Sequence, residues 1–209
     1  MNAYETDDGK ILFDLPLSMK NVFFWWPEAD GSAPSPESIS ASMLRFTIDP
    51  SSTNLYLGEP ETLLGEDCEF PRIDDRFLMR PHQHCFFDLM DPKLGTDFPA
   101  IAPVMGGGHA PYNSLGHFDL KTGVCEKYFP GKYHLVQEPV FIPRSQNGKE
   151  GDGYLIVLVN NYKSMSSELH IVDTEDFSKA QAIVYLPIRL RAGLHGNWVD
   201  RQDLGVSTI

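Results

Sequence analysis

The stretch GYLIVLVNNYKSMSSELHIVDT, residues 153–174, decides the fold class. It contains the longest aliphatic run of the chain, YLIVLV at 154–159, which has the length of a buried strand and is far too short to span a bilayer. A serine-rich break then precedes a second strand-like segment, ELHIVDT at 168–174. The stretch therefore predicts two strands in succession.

Working outward from this stretch, strand patterns recur at short and regular spacing. SMLRFTID (42–49) places its apolar residues on alternate positions and is predicted to form a hairpin with NLYLGE (54–59). The segments NSLGHFDL (113–120) and VCEKYF (124–129) flank a Lys-Thr-Gly turn and predict a second hairpin. Other predicted strands are PVFIPR (139–144), QAIVYLP (181–187) and a strand-turn-strand unit in NAYETDDGKILFD (2–14).

No segment predicts a helix of normal length. The best helical candidate is a turn around Glu175 to Lys179, and the Pro/Ser-rich segment 29–40 is predicted to be a long surface loop. The chain is therefore predicted to be all-β. A sandwich, a barrel and a propeller all fit this pattern, and 209 residues would supply about four propeller blades.

Composition limits the partners and the compartment. The 209 residues are 42% hydrophobic, which suits one globular domain with a sizeable core. The formal net charge is −12 and the basic residues are scattered singly, so nucleic acid is not an expected partner. The N-terminal residues lack the pattern of a signal peptide, and Cys68, Cys85 and Cys125 have no CxxC spacing. A cytoplasmic protein with reduced thiols is the resulting expectation.

The aromatic cluster NVFFWWPEA (21–29) is interpreted as core, with weak membrane contact as the alternative. Most of the histidines have no spacing typical of metal ligands and are interpreted as solvated or hydrogen-bonded. They are His82, His84, His109, His117, His134 and His170.

Several motifs, in their order and spacing, resemble the carotenoid cleavage oxygenases. The motifs are NAYE (2–5), EFPRID (69–74), NSLGHFDLKTG (113–123), QEPVFIPR (137–144) with GDGYLIVLV (151–159), ELHIVDT (168–174) and LPIRLRAGLHGNWVD (186–200). EFPRIDDRF and RLRAGLHGNWVD look most like the lignostilbene dioxygenase and stilbene-cleaving branch, especially its fungal members. The resemblance covers residues 1–209, which would form part of one β-propeller domain.

The resemblance implies a seven-bladed β-propeller with a non-haem Fe(II) on its axis, held by four histidines. His195 in GLHG matches the last of these iron ligands, and its flanking glycines are expected to let the ring reach a crowded axis. Glu69 and Glu138 match two of the glutamates that brace ligand histidines. Their expected role is to accept an imidazole Nδ1–H, which leaves Nε2 to face iron. Both are expected to lack an imidazole partner within this chain, because the histidines that they brace would lie outside it.

The same resemblance places the other three histidine ligands upstream of Met1, the nearest of them two positions before Asn2. The chain is thus expected to form the C-terminal blades of an incomplete ring and to be inactive alone. The implied reaction is cleavage of a carbon–carbon double bond by O₂, giving two carbonyl products from a hydrophobic or phenolic alkene. The alternatives are a non-catalytic propeller that acts as an interaction module, and an apocarotenoid-cleaving or isomerase member of the family.

Overall fold

The computed structural model describes residues 1–22, 26–27, 29–35, 38–54, 56–106, 111–201 and 203–205. Within these residues the chain forms strands and one α-helix. The strands are β1 Asn2–Glu5, β2 Ile11–Ser18, β3 Ala41–Ile48, β4 Glu61–Leu64, β5 Asp67–Arg72, β6 His84–Met90, β7 Ser114–Asp119, β8 Val124–Tyr128, β9 His134–Val136, β10 Val140–Pro143, β11 Gly153–Asn161, β12 Ser166–Asp173 and β13 Ala180–Tyr185, and α1 is Phe98–Met105.

The strands of the described residues form three antiparallel sheets in sequence order: β1-β2-β3-β4, β5-β6-β7-β8 and β10-β11-β12-β13. In the third sheet β9 also pairs with β11, but with residues 159–161, whereas β10 pairs with residues 153–156. Strands β9 and β10 are therefore two halves of one innermost strand, and residues 137–139 form the break between them. Three successive meanders are the arrangement expected of neighbouring propeller blades.

The predicted all-β class is confirmed, with 40% of the described residues in strands. The hairpin of β7 and β8 and the strand pair β11 and β12 lie where the sequence predicts them. The partner proposed for residues 42–49 is wrong, because β3 pairs with β2 and with β4 at residues 61–64. Of residues 54–59, those that the structure describes are not strand, and Leu55 lies outside the described residues.

Helix α1 is an element that the sequence analysis missed. Asp97 caps it by accepting the backbone N–H of Ala100, and Pro99 occupies the first turn, where no N–H is needed. Pro103 inside the helix removes a backbone hydrogen bond. Packing of Ile101 against Leu135 and Tyr162 compensates for this loss.

Strand β6 separates two apolar cores because its side chains alternate between two buried faces. Phe87 and Leu89 face a core shared with Met43 of the first sheet. Phe86 lies on the opposite face and stacks on Phe141 of the third sheet, with ring centroids 5.1 Å apart. Burial on both faces makes β6 the strand that joins all three sheets.

Apolar side chains are exposed at several places in the described residues. The outer strand β13 exposes Ile183, Val184 and Tyr185, as an edge strand does. Trp26 is 64% exposed, so the core interpretation is wrong for this member of the 21–29 cluster. Phe23, Phe24, Trp25 and Glu28 lie outside the described residues. Within the part of the chain that the structure describes, no helix has the length and apolarity to cross a membrane.

His117 lies at the interface of the second and third sheets. Its Nε2 is 3.0 Å from Nδ1 of His84, and its ring stacks on Phe86 and contacts Phe177. Burial, reinforced by the neighbouring His84, lowers the pKa of His117 to about 4. The folded chain therefore holds this imidazole in its neutral form.

This burial predicts an acid-sensitive stability. Because the pKa is depressed from 6.5 to about 4, the unfolded chain binds more protons between these values, and the free energy of unfolding should fall as the pH drops through this window. A shift of this size corresponds to about 3 kcal/mol. In the His117→Phe variant, which keeps the stacked ring, urea unfolding between pH 7.5 and 4.5 should show a shallower loss of stability. Phe177→Leu is the matched control and should lower stability at every pH without changing the slope. Equal slopes for wild type and His117→Phe would refute the assignment.

Candidate functional site

Glu69 and Arg72 lie on β5, the innermost strand of the second sheet, where its pairing with β6 is interrupted. The register of the β5–β6 pairing shifts between these two residues, and Phe70 adopts a φ of 51°. A positive φ is unusual for a phenylalanine, and the following Pro71 has no N–H to pair. The irregularity removes residues 70 and 71 from the ladder, and Glu69 and Arg72 are the paired residues on either side of it.

Glu138 lies in the corresponding break of the third sheet, between β9 and β10. The pairing of Gln137 N–H with the Leu158 carbonyl fixes the start of this break. The Glu138 side chain is 9% exposed. Its carboxylate therefore needs partners, since a buried charge without them is unfavourable.

The loop that contains His195 supplies one of these contacts and one more beside it. Gly196 N–H donates to Glu138 Oε2 at 2.7 Å, and Gly193 N–H donates to Gln137 Oε1 at 2.7 Å. A Cβ at position 193 would lie 3.2 Å from the same Gln137 oxygen, whereas nothing lies within 4 Å of a Cβ at position 196. The expected crowding around the two glycines is thus present at Gly193 only.

His195 lies beside Glu138. Its Nδ1 is 3.4 Å from Glu138 Oε2, and the edge of its ring faces Phe70 with centroids 5.7 Å apart. The expectation that Glu138 has no imidazole partner in this chain is therefore wrong. The break in the inner strand and the loop after β13 bring residues 138 and 195 together, and this contact could not be read from motif order. The His195 side chain is 77% exposed, so Nε2 is accessible.

Arg72 is the site residue that sequence reasoning missed. Its Nη2 donates to Glu138 Oε1 at 2.8 Å and to the Gly196 carbonyl at 2.6 Å. One guanidinium thus joins the glutamate to the histidine loop. Its position three residues after Glu69 in EFPRID was the available signal.

Glu69 approaches the same region from the second sheet. Burial raises the pKa of its carboxyl group, while the amino group of Met1 and the imidazole of His195 act in the opposite direction. His195 is therefore within electrostatic reach of Glu69. Its role as a brace for an imidazole stays a prediction.

Of the side chains at this site, His195 is suited to be a metal ligand, but the described residues do not form a complete metal site. An imidazole with a carboxylate at Nδ1 has its tautomer fixed, and Nε2 is left as a ligand for a divalent metal. Among the described residues, no group of three or more His, Cys, Asp or Glu side chains is arranged to hold a metal ion. Hydrogen bonds join His82 to Asn2 and His170 to Tyr128. His109 lies outside the described residues.

The family model described as RPE65, retinal pigment epithelial membrane protein, matches residues 1–200. The chain belongs to this family. It is 58% identical over 207 residues to resveratrol cleavage oxygenase 1 of Aspergillus fumigatus, covering 99% of this chain and 42% of that protein. It is 35% identical to lignostilbene-α,β-dioxygenase isozyme III of Sphingomonas paucimobilis, covering 99% of this chain and 41% of the relative.

Solved structures of the family agree with the fold. Lignostilbene dioxygenase of Pseudomonas brassicacearum superimposes with a TM-score of 0.87 at 39% identity, over 95% of this chain and 40% of that one. A variant of Synechocystis apocarotenoid oxygenase gives a TM-score of 0.75 at 25% identity, over 95% of this chain and 38% of that one. These proteins are β-propeller enzymes, so the three sheets are propeller blades. The chain spans about two fifths of the length of these relatives.

The Arg72 contacts predict how the histidine loop responds to mutation. In Arg72→Met the hydrogen bonds to Glu138 and to the Gly196 carbonyl are lost, so the loop should open more often. Hydrogen exchange of the Gly196 amide should accelerate about tenfold, the equivalent of about 1.4 kcal/mol. Gln137→Ala is the matched control, because it should release the Gly193 amide and leave Gly196 protected. Unchanged exchange at Gly196 in Arg72→Met would show that the guanidinium does not hold the loop.

Proposed function

We propose that this chain is the C-terminal part of a non-haem Fe(II) dioxygenase that cleaves a carbon–carbon double bond with O₂. The products would be two carbonyl compounds, and for a stilbene two aromatic aldehydes. Family membership supports an oxygenase of this kind. The observation that carries the proposal is the placement of His195 Nδ1 at 3.4 Å from Glu138 Oε2.

Each residue of this arrangement has a defined task in the proposal. Glu138 accepts the Nδ1–H of His195, which keeps Nε2 free of its proton and raises the basicity of the ring. Arg72 and the Gly196 amide hold the two Glu138 oxygens, so that the carboxylate cannot rotate away. Glu69 is proposed to do for an imidazole from outside this chain what Glu138 does for His195.

Iron(II), once bound, supplies the redox chemistry that the reaction of O₂ with an alkene requires. Neutral imidazoles are suitable ligands for it. His195 contributes one of these ligands, and the remaining ligands are proposed to come from blades outside the 209 residues. No further protein group needs to form a covalent bond with the substrate.

A stilbene is the favoured substrate class. The relative at 58% identity is named for resveratrol cleavage, whereas the Synechocystis apocarotenoid-15,15'-oxygenase is 26% identical. An apocarotenoid substrate and a non-catalytic interaction module remain the competing proposals. The two substrate classes can be distinguished by incubating the complete enzyme with resveratrol and with an apocarotenal in parallel. The aldehydes that form identify the substrate that is cleaved.

The number of iron ligands predicts different iron retention and activity for the chain alone and for the chain within a whole propeller. One imidazole holds Fe(II) weakly, so the 209-residue chain should lose iron on desalting and release no aldehyde. The whole propeller can be built as a chimera in which this chain replaces the matching C-terminal 42% of the Aspergillus fumigatus enzyme. This chimera should retain iron and cleave resveratrol.

His195→Ala in the chimera should abolish both iron retention and aldehyde release. Lys179→Ala is the control, since Lys179 is 74% exposed on a turn away from the site. Stoichiometric iron in the isolated chain would contradict the single-ligand argument. Full turnover by the His195→Ala chimera would contradict the ligand assignment, and a folded chimera without iron would favour the interaction module.

A further inference from the structure

Asp88 is a buried acidic residue that the proposed mechanism does not use. It lies on β6 and has no exposed surface. In the register of the sheet, its neighbours on either side are Glu69 of β5 and Leu115 of β7. Directly opposed residues of antiparallel strands point to the same face, so the side chains of Asp88 and Glu69 lie on one face of the second sheet.

Nothing in the surroundings of Asp88 stabilises a negative charge there. Among the described residues, neither of its oxygens has a hydrogen-bond partner. The charges that act on it are those of Glu138 and Glu69, both negative. A buried carboxylate that faces two further carboxylates and no cation is strongly unfavourable, and the usual outcome is that one member of such a group keeps its proton.

The two glutamates differ in their capacity to accept that proton. Both oxygens of Glu138 already have donors, Arg72 at Oε1 and the Gly196 amide at Oε2. The hydrogen bond that acts on the Glu69 carboxylate is with the backbone of Phe70. Glu69 therefore has free acceptor capacity directly across the strand pair.

We propose that Asp88 is a neutral carboxylic acid whose O–H donates to the carboxylate of Glu69, so that Asp88 acts as a positioning residue. The donated hydrogen bond fixes one oxygen of Glu69 towards the core and keeps that glutamate ionised. Its second oxygen is then directed towards the site. The bracing role of Glu69 rests on the proposed function, whereas the protonation of Asp88 does not.

The groups around Asp88 set the pH dependence. Glu69 comes from β5, Glu138 from the break before β10, and Leu115 of β7 carries no charge. Tyr112 lies before β7, and its pKa is raised by burial and by the nearby acidic groups, so it is neutral. Burial and the two glutamates raise the pKa of Asp88 well above 3.8. In the unfolded chain this carboxyl group loses its proton near the ordinary pKa of aspartic acid, about 4. The stability that the buried acid contributes is therefore lost as the pH rises above about 4.

The first test follows the proton directly in the 209-residue chain. With ¹³C-labelled aspartate and sequential assignment, the Cγ signal of Asp88 at pH 7 should have the position of a protonated acid. The Asp88→Asn variant should lack this signal. An ionised Asp88 at pH 7 overturns the proposal, and this measurement on the wild-type chain decides it even where variants fail to fold.

The second test distinguishes a hydrogen bond from Asp88 to Glu69 from an effect of burial alone. The folding constant of the wild type relative to Asp88→Asn should fall about tenfold per pH unit above pH 4, until the folded protein itself loses the proton. The titration midpoint of Glu69 should keep its wild-type value in Asp88→Asn, whose amide still donates, and should rise in Asp88→Leu, which has no donor. Equal Glu69 midpoints in the two variants would overturn the positioning role. Iron content and activity enter neither test, so failure here is distinguishable from failure of the proposed function.

Discussion

The carboxylate of Glu138 is the point on which the arrangement of the site depends. It joins three segments that are far apart in sequence, since Arg72 lies 66 residues before it and Gly196 lies 58 residues after it. The side chain is almost fully buried, so these contacts are a requirement of its charge and not an addition to a stable loop. The position of His195 follows from them, because the imidazole lies between the Gly193 and Gly196 attachments.

The two breaks in the inner strands explain why charged side chains occur at the end of an otherwise apolar interface. A regular ladder would use the backbone groups of residues 70–71 and 138–139 for strand pairing. The positive φ of Phe70 and the gap between β9 and β10 remove these segments from the ladder. Their side chains thereby face the loop after β13. The adjoining regular part of β6 packs against both apolar cores.

The sequence predicted several strands because their pattern is local, but it did not predict β4 or the partners of β3. The hairpin of β7 and β8 could be predicted from its turn residues, and the family motifs identified His195, Glu69 and Glu138. The pairing of His195 with Glu138 could not be predicted, since it depends on a register break whose only local signal is a proline after each glutamate. Helix α1 was missed for a related reason: tertiary burial of Ile101 outweighs the unfavourable effect of its prolines.

The histidine loop differs from the rest of the fold in what holds it. Leu194 and Trp198 are 65% and 48% exposed, so little apolar burial fixes the loop against the sheets. Its position therefore depends on polar contacts, namely those of Gln137, Glu138 and Arg72. Polar contacts specify geometry more narrowly than apolar packing does, because their strength falls steeply when distance or angle changes. A loop held in this way can present an imidazole at one orientation while its own side chains stay free to contact whatever surrounds it.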